Sequence, residues 1–203
     1  MTTDFEPRRW LNSLVTMKKT GTLDFSVGDI LGARSHYSNV LMILESVYNS
    51  DKGRSVRSMP AKFGQEINKL RFQCELNLAL CYLKLCCLDL EKGLRDGLLA
   101  ANNAVDLAED HEIDNVWEAC APRIPYNNKS NYTAVERSKA RFRRASIMME
   151  AGVCQTKTLY FLNSRYALQN FWQARDIRLE HNVYPTAEML THIHKLGIRS
   201  CLL

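Results

Sequence analysis

The chain has 203 residues, 46% hydrophobic and 24% charged, with a formal net charge of +5. That composition suits one folded domain with ample material for a core, and it excludes a disordered chain. No apolar run approaches the roughly 18 residues needed to span a bilayer, and the mildly basic charge permits an acidic partner without demanding nucleic acid.

Only 9 glycines and 5 prolines occur. So few turn residues point away from all-β and doubly wound folds and toward long helices. The first nine residues, Met1 to Arg9, contain no apolar stretch, so no secretory leader is expected. The seven cysteines are odd in number and form no CxxC pair. Reduced thiols in the cytosol or nucleus are therefore expected, and no zinc ribbon.

Residues 1–24 read as an N-terminal extension compatible with helix. Residues 27–49 carry Ile30, Tyr37, Val40, Leu44 and Val47 at helical spacing. Residues 50–64, with Lys52, Arg54, Arg57 and Lys62 against Asp51, read as a solvated basic loop. Residues 66–87 are apolar nearly all round, so that helix needs cover on more than one side. A helix over 89–109 follows, with Gly93 and Gly97 on one face. Glycine costs about 1 kcal/mol in a helix relative to alanine, so the pair marks a close approach of a neighbour. Residues 110–133 read as a second long connection, with Trp117 and Tyr126 pinning it. Helices are expected at 134–151, ending at Gly152, and at 154–181, with a possible break at Asn163-Ser164. A short helix after Pro185 would start from Thr186 as N-cap.

Paired helices of this length invite a search for repeats of about 34 residues. Leu78, Ala79 and Tyr82 fall on the large, small and aromatic positions of one helix, and Gly93, Gly97 and Ala100 on the small positions of the next. A second match runs from Ser138 to Gly152, with Ala145 at the small site and Gly152 at the turn. A weaker third covers Gly28 to Tyr48, with Gly28 small, Tyr37 aromatic and Val40 small. The chain thus resembles a tetratricopeptide-repeat domain, more narrowly those of large immunophilins and heat-shock co-chaperones. The resemblance implies an all-α, right-handed solenoid of helical hairpins. Three helix pairs would occupy 25–181, with a capping helix and tail over 182–203.

The resemblance further implies a non-enzymatic adaptor without cofactor, metal or catalytic residues. Its partner would be a protein, such as the C-terminal Glu-Glu-Val-Asp tail of a 70- or 90-kDa heat-shock chaperone. Relatives grip that tail with a carboxylate clamp of Lys, Asn, Asn, Lys and Arg. Here Asn77, Lys139 and Arg143 match. Phe25 and Asp29 stand where the first Lys and Asn are expected, and an aspartate would repel a carboxylate. An adaptor for a different protein partner is the alternative, and a basic helical repeat that binds RNA through residues 136–144 comes third. His192 and His194, two apart on a helix, diverge too far to share a metal. No GxSxG, HExxH, P-loop or dinucleotide motif occurs. Ala187, Leu190, Ile193, Leu196 and Gly197 form the stripe expected to dock the last helix.

Overall fold

The computed structural model describes residues 5–85, 90–109, 132–153 and 157–201. Among these residues every element is an α-helix. In chain order they are α1 (Pro7–Ser26), α2 (Ile30–Tyr48), α3 (Lys52–Arg57), α4 (Ala61–Leu85), α5 (Leu90–Glu109), α6 (Ala134–Val153), α7 (Lys157–Glu180) and α8 (Ala187–Cys201). The long helices pack in pairs, α1 with α2, α4 with α5 and α6 with α7. The first helices also touch in succession, α1 with α4 and α4 with α6, while α2 meets α4 and α5 meets α6. The helix α8 lies on α7.

The helix boundaries have local causes. Pro7 occupies the start of α1, where its missing N–H costs nothing. Gly28 turns the chain between α1 and α2 with φ +88°, a conformation glycine adopts freely. Asp29 then caps α2, its side chain accepting from the Gly32 amide at 2.9 Å. A reciprocal capping box starts α6. The Thr133 hydroxyl accepts from the Glu136 amide at 3.2 Å, and the Glu136 carboxylate accepts from the Thr133 amide at 2.9 Å. Thr186 caps α8 as expected, accepting from the Met189 amide at 3.2 Å.

Several expectations need correction. The presumed extension is α1, a full helix whose Leu11 and Leu14 enter the main core and which packs on α2 and α4. Only Leu11, Leu14 and Gly21 of α1 are buried, so its apolar stripe is thin. The first crossing glycine is Gly21, not Gly28. A Cβ on Gly21 would lie 2.9 Å from the Cβ of His36, whereas nothing lies within 4 Å of one on Gly28. The stretch 50–64 is not all loop. Val56 is buried, which holds the short helix α3 to the core, and α4 already begins at Ala61. Its four basic side chains are exposed. Gly97 is a close-approach glycine, with a Cβ there 2.9 Å from the Tyr82 Cβ. The helix α6 runs through Gly152 to Val153, and α7 is continuous through Asn163 and Ser164. Ala187 and Leu190 face solvent, while Met189 and Leu196 carry the docking of α8. Trp117 and Tyr126 lie outside the described residues.

The core has three parts along the array. The largest joins α1, α2, α3, α4 and α5 around Tyr37, Phe63, Ile67 and Leu70, with Ile147 of α6 reaching in. Phe72, Val105, Tyr132 and Ala140 form the second, between α4, α5 and α6. Ala145, Ala167, Phe171 and Leu196 form the third, between α6, α7 and α8.

Candidate functional site

Contacts between the first helices fix their register. Arg8 of α1 pairs with Glu66 of α4 and stacks on Phe63. Ten residues on, the Lys18 charge reaches Cys74 of α4. One turn further, Thr22 Oγ1 lies 3.2 Å from the Tyr37 phenol of α2, on which Asn77 of α4 also acts. On the other flank, Lys69 of α4 pairs with Glu136 of α6 at 3.4 Å, and Arg143 of α6 acts on Cys81 of α4. The helices α1, α4 and α6 therefore run in the same direction. Interpolation between the Lys69–Glu136 and Cys81–Arg143 levels puts Lys139 at the level of Cys74, about one turn before Asn77.

At neighbouring levels of the three helices stand Lys18 and Thr22 on α1, Asn77 on α4, and Lys139 and Arg143 on α6. Asn77, Lys139 and Arg143 are the residues expected from the sequence. Lys139 is exposed, and Asn77 and Arg143 are half-buried. Burial pushes the Arg143 guanidinium down from its ordinary value, and the carboxylate of Glu188 on α8 opposes that. Among the described residues no carboxylate comes within 4.0 Å of Lys18, Lys139 or Arg143.

Phe25 and Asp29 have other work. Phe25 packs against the main core, and Asp29 is the α2 cap. On α1, Thr22 stands at the level of Asn77 and Lys18 one turn earlier, at that of Cys74, and the sequence places both in an extension. The signal that could have found them is Gly21, three residues after Lys18, whose lack of a side chain lets α1 cross α2.

The basic run over 136–144 divides. Arg137 contacts His181 at 3.1 Å, Arg141 donates to Gln173 at 2.7 Å, and buried Ser138 donates to the Ala174 carbonyl at 2.8 Å. These groups join α6 to α7. Glu136 is spent on the capping box and Lys69. Burial pushes its carboxyl up, but hydrogen bonds from Thr133 and the nearby Lys69 hold it below the ordinary value on balance.

Cys74 and Cys81 are buried, and burial pushes both thiols to about 12, so neither is a nucleophile at neutral pH. His192 packs on the rings of Phe142 and Phe171, and His194 is exposed. Among the described residues no group of three His, Cys, Asp or Glu side chains is placed to hold a metal, and no helix is long and apolar enough to cross a membrane. A scan of the sequence against protein-family models finds no match, and a search of curated proteins finds none.

Proposed function

We propose that this chain is a non-enzymatic protein-interaction module of tetratricopeptide type that grips the acidic C-terminal tail of a partner protein in the groove along α1, α4 and α6. What supports this reading is that Lys18, Lys139 and Arg143, three cations with no carboxylate at pairing distance among the described residues, stand at neighbouring levels of the three helices that include the Asn77 amide. A C-terminal carboxylate next to an aspartate presents two negative charges. Lysine and arginine pair with them, and an asparagine amide bonds the adjoining peptide. In this reading Lys18 supplies the cation that Phe25 could not, so the ligand would meet three cations and one amide. The chaperone tail ending in Glu-Glu-Val-Asp is the partner this set fits. The commitment of Arg137 and Arg141 to α7 argues against a nucleic-acid surface on α6.

The test is titration calorimetry with a peptide ending in Glu-Glu-Val-Asp. Charge-assisted hydrogen bonds contribute about 1.5–3 kcal/mol each, so Lys139→Ala and Arg143→Ala should each weaken binding roughly 10- to 100-fold. Lys18→Ala should act similarly, and Lys52→Ala on the basic α3 should not. Absence of binding at millimolar peptide removes the chaperone tail as ligand. Binding that survives Lys139→Ala/Arg143→Ala removes the groove as its site.

A further inference from the structure

The helix α7 buries one side and leaves the opposite one open. Ala167, Asn170, Phe171 and Ala174 are buried on the side that meets α6 and α8. On the other side Trp172 is 46% exposed and Leu179 51%. Seven residues apart, they stand on one stripe, two turns from each other. Between them lie Arg175 and Asp176. Arg175 Nε and Nη2 donate to Asp176 Oδ1 at 2.8 and 2.6 Å. Consecutive side chains on a helix do not face each other, and both of these bonds end on one carboxylate oxygen. The second oxygen, Oδ2, keeps its capacity to accept from another cation.

We propose that this outward face of α7 docks a second copy of the chain, the two helices antiparallel. The stripe is complementary to itself. Trp172 precedes Arg175 by three residues, and Leu179 follows Asp176 by three. A two-fold axis at the midpoint of Arg175 and Asp176 therefore brings each Trp172 level with the Leu179 of the other copy. The same axis brings each Arg175 level with the Asp176 of the other copy. An isologous contact requires such a patch, in which one residue meets a second and the second meets the first. Tryptophan and arginine are also the residue types that most often anchor protein interfaces. The face belongs to α7, whereas the proposed groove belongs to α1, α4 and α6, so the pairing does not depend on the groove's ligand. One helix face on another buries less than the roughly 1,600 Å² of a standard interface. The dimer should accordingly be weak, with a dissociation constant of about 10–100 μM.

Sedimentation equilibrium of the full chain, over two decades of concentration around that value, should show monomer and dimer in exchange. Trp172→Ala should weaken the dimer about 10-fold or more, as truncation of a central aromatic does. Leu99→Ala, at an exposed leucine of α5, should leave it unchanged. Charge reversal gives the sharper comparison. Arg175→Asp places two acids in the patch and Asp176→Arg two cations. Each variant alone should dimerise at least about 10-fold more weakly, because like charges then meet across the axis. A one-to-one mixture of the two should associate as the wild type does. Misfolded variants would not restore each other, so the mixture separates a docking fault from a folding fault. A monomer across the whole range would overturn the proposal and leave the face to a different protein. A dimer indifferent to Trp172→Ala, or a mixture that stays monomeric, would overturn it as well.

Discussion

Glu75 is a carboxyl only 5% exposed, between α4 and α5. It accepts from the Asn103 amide at 3.1 Å. Burial raises it to about 7, opposed by Arg71 and by Asn103, while Glu45 of α2 adds to the rise. The sign follows from proton linkage. The folded chain holds the proton more tightly than the unfolded chain, whose glutamate titrates near its ordinary value. The stability that Glu75 contributes as a neutral acid is thus complete below the unfolded value and is lost as the pH rises toward about 7. With about 1.4 kcal/mol for each unit, the loss is on the order of 3 kcal/mol. Glu75→Gln keeps an acceptor for Asn103 and cannot ionise. Urea unfolding of both proteins between pH 4.5 and 8 should show the wild type losing stability relative to Glu75→Gln as the pH rises. Parallel curves would show that the carboxyl does not ionise inside the fold. No helical spacing announces such a group. Glu75 is one charged residue among the apolar positions of α4, and its cost becomes visible only when α5 covers it.

Two glycines near the first helix pair separate two causes at the scale of elements. Gly21 lies inside α1 where α2 crosses, with the Ala33 carbonyl 3.3 Å and the Tyr37 ring 3.2 Å from a Cβ placed there. Gly28 sits in the turn with φ +88° and empty space around it. Gly21→Ala gains about 1 kcal/mol of helix propensity but forces the helices apart, at a cost of about 1–3 kcal/mol, and a larger residue is worse. Gly28→Ala costs about 1 kcal/mol through the backbone alone, and asparagine, which tolerates positive φ, restores part of it. Thermal unfolding should therefore rank asparagine above alanine at 28 and below alanine at 21. The same ranking at both positions would refute the distinction. The long helices from α2 onward were legible because their apolar residues recur over several turns and glycine or proline punctuates them, whereas the six-residue α3 was read as loop. The helix α1 was not, because Leu11 and Leu14 are its only large buried residues and Thr16, Lys18, Lys19 and Thr20 look like surface. Missing α1 shifted the first pair onto Gly28 and α2. The first-helix residues were then sought at Phe25 and Asp29, seven residues beyond Lys18 and Thr22.

Among the described residues helices meet close neighbours along the chain, with α3 resting on α2 and with α2 to α4, α1 to α4 and α4 to α6 as the longer steps. This succession of contacts has two ends, α1 and α8. The helix α8 closes the α7 end with Met189 and Leu196. The helix α1 closes the other, over the largest core cluster, where it shields Ala33, Tyr37 and Val40 of α2. If α1 were an extension, cutting its contacts would change little. As an end helix it supports stability, and it carries Lys18 and Thr22 of the proposed groove. Leu14 is 2% exposed, and Leu14→Ala should cost about 2–5 kcal/mol, as large-to-small changes in packed cores do. The exposed Leu23, on the same helix, should cost under about 0.5 kcal/mol on truncation to alanine. Nearest-neighbour coupling adds a further consequence. Loss at the α1 end should speed hydrogen exchange in α1, α2 and α4 while leaving α7 and α8 close to wild type, provided the array opens from its ends. Uniform acceleration in every helix would instead show one all-or-none unit. Equal costs for Leu14→Ala and Leu23→Ala would return α1 to the status of a loose extension, and with it remove Lys18 from the groove.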